Sequence, residues 1–158
     1  MTTRSQRIRA TRDHPIIDSD GHTAEFEPLL FDAMRDIGGP EVVDRYKEAS
    51  DNFFRFPWYR FSEEERRRQR ISRPLWWVHP TANTLDRATS SLPKLMNDRI
   101  EEMGLDYSII YPSLGMIGMH MGEEDLRRTF CRAYNRYHAE AYGPFSYRLT
   151  PVATIPMH

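Results

Sequence analysis

Cysteine is almost missing from this chain. Cys131 is the single one in 158 residues, which excludes an internal disulfide and any thiolate metal cluster. A metal held here must therefore use oxygen and nitrogen ligands, and a reducing, cytoplasmic setting is the expectation. Long apolar runs are missing too. No segment reaches the ~18 residues of a membrane span and no apolar stretch follows the N-terminus, so no membrane is expected as a partner. Charge of one sign is not in excess: 22 Lys and Arg face 23 Asp and Glu, a formal charge of -1. That balance removes the basic field by which proteins gather on nucleic acid. What is present suffices for a core, with 39% hydrophobic and 28% charged residues. Chemistry on a small molecule is the function class left standing.

Residues 1–13 carry Arg4, Arg7, Arg9 and Arg12 without an apolar face, and read as a disordered, basic, solvated tail. Residues 14–158 read as one domain. His14 to His22 holds a short β-branched run that ends in small and polar residues, the pattern of a buried strand reaching a loop. Leu29, Leu30, Ala33, Met34 and Ile37 have helical spacing, closed by Gly38-Gly39, and Pro40 can open a second helix through Tyr46. Asn52 to Phe61 is aromatic and irregular, a packed loop. Ser62 and Glu65 have capping-box spacing ahead of the basic run Arg66 to Arg73, read as a solvated helix with an anion-binding patch as the alternative. Leu92 to Met103 forms a helix stopped by Gly104, and Leu105 to Pro112 a second strand. Glu123 to Tyr142 is a long amphipathic helix with Leu126, Phe130, Ala133, Tyr134, Tyr137 and Ala141 on its inner stripe, and Leu149 to Ile155 a third strand. Helices that lead directly into strands favour parallel β-α-β units. At 158 residues the chain is well short of the roughly 250 of a closed (β/α)8 barrel, so the fold is either smaller or represented in part.

Asp20 and His22 stand two apart at the end of the first strand, so alternation puts their side chains on one face, with Asp18 sharing the parity. A carboxylate oxygen and an imidazole nitrogen both ligate divalent first-row metals. Taken alone, Asp-x-His describes a turn-capping aspartate beside an ordinary histidine equally well.

The segment Ile16-Ile17-Asp18-Ser19-Asp20-Gly21-His22-Thr23-Ala24-Glu25 resembles the first-strand motif of the amidohydrolase superfamily, in the branch related to aminocarboxymuconate semialdehyde decarboxylase. Trp76-Trp77-Val78-His79-Pro80, Thr84 to Thr89, Arg99 to Asp106, Tyr111-Pro112-Ser113 and Pro151 to Met157 resemble later segments of that branch in order, so the likeness spans most of the chain from Pro15. The resemblance implies the N-terminal portion of a (β/α)8 TIM barrel, about three parallel strands with a long helical insertion after strand one. It also implies one divalent metal ion at the barrel mouth. The activity implied is that of a hydrolase or a carboxy-lyase (decarboxylase) on a small carboxylated or ring substrate. In that family the usual motif is His-x-His; here Asp20 takes the place of the first histidine and His22 that of the second, which leaves zinc or manganese, with a lean toward the harder ion. The family's remaining ligands and its catalytic histidine come from later strands, beyond His158, so the chain alone is expected to be inactive and to bind metal weakly.

Around the metal pair, Glu25 and Asp18 are expected behind the ligands, Glu25 orienting His22. Trp77 and His79, with Trp76, are candidates for an aromatic wall over the substrate, against ordinary core packing. Tyr111 and Ser113 follow the second strand, where barrel loops meet substrate, and His120 lies in the Met- and Gly-rich segment Gly115 to Gly122, read as a flexible loop. Cys131 reads as a buried small hydrophobe. A homo-oligomer is compatible with all of this. The competing readings are a noncatalytic remnant and a small α/β binding module.

Overall fold

The computed structural model describes residues 2–71 and 83–156. Its first departure from expectation is the N-terminal segment, which is solvated but is not a disordered tail. Thr3 caps helix α1 (Arg4–Arg9): its hydroxyl accepts from the Gln6 amide while the Gln6 side chain accepts from the Thr3 amide. Arg9 then meets Asp106 at two points, Nε to Oδ2 at 2.5 Å and Nη2 to Oδ1 at 3.1 Å, across 97 residues of chain. Composition showed the arginines but not this partner.

Three strands, β1 (Ile17–His22), β2 (Tyr107–Tyr111) and β3 (Leu149–Pro151), form one parallel sheet in the order β1-β2-β3. The third is shorter than the expected Leu149 to Ile155, since Pro151 has no N–H to continue the ladder. Ile110 and Leu149 pack against Met96, Ile100 and Tyr142, so helices cover that face. Tyr107, Ile109 and Tyr111 alternate onto the other face, stay only half-buried, and belong to neither apolar cluster of the described residues.

Helix α2 (Glu27–Gly38) begins with Pro28 in its first turn, and α3 (Val42–Phe54) ends at Arg55, which takes a left-handed φ of 52°. The expected aromatic loop therefore starts later, because Asn52, Phe53 and Phe54 complete α3. Ser62 and Glu65 make both bonds of the capping box on α4 (Glu63–Gln69). Helix α5 (Thr84–Thr89) had no apolar periodicity to announce it; Asn83 caps it through the Asp86 amide. Helix α6 (Pro93–Arg99) tightens into a 3-10 turn, Ile100–Met103, and Gly104 ends it at φ 77°, where a Cβ would come 2.8 Å from the Ser5 carbonyl oxygen of α1's first turn.

The Gly115 to Gly122 segment corrects another expectation. It forms helix α7 (Gly115–Met119), with Gly115, Ile117 and Gly118 buried, rather than a flexible loop. Its glycines serve close packing: a Cβ on Gly118 would lie 1.8 Å from Phe130 Cδ1 on α8 (Glu124–Tyr142). The inner stripe of α8 packs with Leu30, Met34, Val43 and Tyr46 of α2 and α3, and the Tyr46 and Phe130 rings stack at 5.2 Å. At roughly 1.5–3 kcal/mol for each fully buried large apolar side chain, this cluster is the main source of fold stability.

Candidate functional site

The site begins with a bulge. Asp18 stands opposite Ser108 in the β1–β2 register, yet Gly21 stands opposite Ile110, so three steps on β1 match two on β2. Both Asp18 and Gly21 thus face the helices: Ser108 Oγ donates to Asp18 Oδ2 at 3.2 Å, and a Cβ on Gly21 would meet Ser108 Oγ at 2.2 Å. The extra residue reverses the alternation, and His22 emerges on the opposite face beside Tyr111, ring centroids 5.9 Å apart. Asp18 therefore does not share a face with His22, contrary to the period-two expectation. Its carboxylate instead accepts from the Asp20 amide at 3.0 Å and shapes the bulge.

Asp20 and His22 do come together. Asp20 Oδ1 lies 3.7 Å from His22 Nε2, with the Asp20 side chain 90% exposed and the imidazole 28%. This separation is less than two metal–ligand bonds of ~2.1 Å end to end, so one ion can touch both. The other ring nitrogen, Nδ1, donates to the Pro112 carbonyl at 3.2 Å. A carbonyl can only accept, so Nδ1 carries a proton and Nε2 is the atom turned toward Asp20. Ligand histidines are commonly oriented by such a bond from the second nitrogen. Two donors are not a complete set, and among the described residues no group of three His, Cys, Asp or Glu side chains is placed to hold an ion.

Glu25 is not bonded to His22 as expected. It is buried, and its two oxygens accept from the Ser113, Leu114 and Gly115 amides and from the Tyr134 hydroxyl at 2.8–2.9 Å. Burial and this carboxylate together push the Tyr134 phenol well above its ordinary range. Ser113 belongs to the same network, its hydroxyl donating to the Thr23 carbonyl, and it is 2% exposed. Next to it is a histidine that spacing did not single out. His138 packs against Tyr134, Tyr137 and Tyr142, neither ring nitrogen has a partner among the described residues, and desolvation lowers its pKa to about 3. Only its position on the inner stripe of α8, four residues after Tyr134, could have signalled burial.

The other candidates scatter. Tyr111 remains beside His22, half-buried. His120 ends α7, exposed, and stacks on Phe53 at 6.2 Å. Trp77 and His79, with Trp76, lie outside the described residues. Cys131 is buried, as expected, and burial raises its thiol pKa. In the basic run, Arg66 turns inward, its guanidinium over the Trp58 ring at 4.6 Å and bonded to the Trp58 and Phe61 carbonyls, while Arg67 pairs with Glu63. A cavity of about 220 Å³ adjoins the helix-covered face, its lining including Met96, Ile100, Ile110 and Leu149 together with Asp18 and, from the end of β1, His22.

Fold and site together define an α/β protein with a three-stranded parallel sheet and an Asp-His pair at the end of its first strand. Comparisons with protein-family models, with curated proteins and with solved structures each returned no match. No helix of the described residues is long and apolar enough to cross a membrane.

Proposed function

We propose that this chain is the N-terminal part of a metal-dependent amidohydrolase-type enzyme, a hydrolase or carboxy-lyase acting on a small carboxylated or ring substrate. The observation that carries the proposal is the pairing of Asp20 Oδ1 with His22 Nε2 at 3.7 Å while Nδ1 is held by the Pro112 carbonyl. The sheet supports it. Strands in sequential parallel order with helices against one face suit a barrel, in which helices lie outside and the opposite face turns inward. His22 is on that opposite face, at the C-terminal end of its strand, where barrel active sites are built.

In this reading Asp20 and His22 hold one divalent ion, zinc or manganese, and Tyr111 lines the mouth beside them. Such an ion, when bound, supplies polarisation of a substrate oxygen or a water of lowered pKa. The Pro112 carbonyl holds Nδ1 and leaves Nε2 to face the ion, and the remaining ligands and the proton-moving residue come from other strands of the barrel. A small-molecule substrate and a cytoplasmic setting go with the reading, as does a possible homo-oligomer. The test is a titration of the protein with Co2+, followed by its absorption bands, in the wild type and in Asp20→Ala and His22→Ala. Weak binding lost in both variants is expected, and equal binding in all three proteins refutes the ligand assignment.

A further inference from the structure

We infer that Glu25 is a positioning residue that sets the tautomer of His22 through a single peptide plane. The Ser113 N–H that Glu25 Oε1 accepts at 2.8 Å and the Pro112 carbonyl that receives His22 Nδ1–H at 3.2 Å belong to the same peptide unit. That unit is trans, so its N–H and C=O point in opposite directions. Glu25 grips one side of the plane and His22 leans on the other. Glu25 is well suited to this: it is 7% exposed, and it also holds the next two amides, Leu114 and Gly115, each at 2.9 Å. Oε1 takes the Ser113 and Gly115 N–H groups and Oε2 the Leu114 N–H, so a glutamine, with one acceptor oxygen, sets its NH2 against at least one of these donors whichever way it turns and breaks up the cradle.

The consequence follows from the geometry. With the Pro112 carbonyl fixed, His22 keeps its proton on Nδ1 and presents Nε2 toward Asp20. With the peptide released, the Pro112 carbonyl no longer fixes the proton on Nδ1. The effect on metal affinity rests on the proposed function above; the effect on the tautomer does not.

The experiment is 15N NMR of the histidine side chains in the metal-free protein, at a pH where imidazole is neutral, with His22 assigned by its loss in His22→Ala. The wild type is expected to show the Nδ1–H form of His22, and Glu25→Gln a mixture with the Nε2–H form. A roughly 10-fold or greater weakening of Co2+ binding should accompany it. Tyr134→Phe removes a donor to Glu25 without touching the peptide plane and should leave the tautomer as in the wild type. Identical His22 signals in wild type and folded Glu25→Gln overturn the inference, as does an equal change in Glu25→Gln and Tyr134→Phe, which would mark general loosening. Should Glu25→Gln fail to fold, the wild type decides: a predominant Nε2–H form, or fast hydrogen exchange at Ser113, Leu114 and Gly115, overturns it. A tautomer that depends on Glu25 in a protein that binds no Co2+ supports the inference and sinks only the metal reading.

Discussion

Arg9 and Asp106 form a two-point ion pair that fastens α1 to the entrance of β2, and Asp106 Oδ2 also accepts from the Ile16 amide at 2.7 Å, at the entrance of β1. One carboxylate thus ties together the N-terminal helix and the starts of two strands. The bond from Arg9, and after it the Ile16 amide, hold the Asp106 carboxyl below its usual pKa, while Arg9 is raised. Asp106→Asn is expected to lower the melting temperature and to speed hydrogen exchange in residues 4–9. Because the folded pKa is the lower one, this stabilisation is complete above the unfolded value of about 3.8 and is lost as pH falls through the folded value. The gap between wild type and variant should therefore close in acid; a gap independent of pH would show that the charge is not what matters.

Gly21→Ala is predicted to disrupt the bulge. A Cβ there would lie 2.2 Å from Ser108 Oγ and 2.8 Å from the Ile109 carbonyl oxygen, and the second of these is backbone that cannot step aside. Overpacking of this kind costs about 1–3 kcal/mol. Denaturant unfolding should show a loss of that size, and the His22 ring signals should move with it, since His22 directly follows the displaced residue. Wild-type stability in Gly21→Ala would mean that the β1–β2 register is looser than the hydrogen bonds imply.

Gly118→Ala tests the packing of α7 on α8. Its Cβ would fall 1.8 Å from Phe130 Cδ1, and Phe130 is fully buried and stacked on Tyr46, so the ring has no room to yield. A loss of about 1–3 kcal/mol is expected, even though alanine is the better helix former by ~1 kcal/mol. An increase in melting temperature would count against the close contact.

Much of the frame was legible in the sequence because it depends on local signals. The apolar spacing from Leu126 to Tyr137 marked α8, Ser62 and Glu65 marked a helix start, and the β-branched runs before Gly21 and Pro112 marked two strands, all close to where they occur. What stayed hidden depends on partners distant in sequence. The Arg-rich N-terminus carries a capping box, Thr3 with Gln6, and is anchored by Asp106 97 residues away, while Gly118 of the Gly115 segment packs on Phe130. The site divides the same way. Asp20 and His22 are brought together as their spacing suggested, but a bulge, invisible to alternation, turned Asp18 to the other face. Glu25 was expected beside His22 and found its partners in amides 88 to 90 residues later.

His138 supplies the last prediction, one about acid stability. It is buried among Tyr134, Tyr137 and Tyr142, and desolvation holds its pKa at about 3 against about 6.5 in an unfolded chain. The three phenols have raised pKa values and stay neutral, so none offers a counter-charge. Between these two pH limits the unfolded chain takes up a proton that the folded protein refuses. Stability should be constant above about pH 6.5 and fall below it, with this residue contributing a slope of up to about 1.4 kcal/mol per pH unit. His138→Leu, similar in volume, removes the slope and leaves no unpaired ring nitrogen in the core, so the variant should be at least as stable at neutral pH and clearly more stable near pH 5. Urea unfolding of both proteins across this range checks it. Parallel curves for wild type and variant would mean that the imidazole finds a partner on protonation and is not desolvated as its surroundings require.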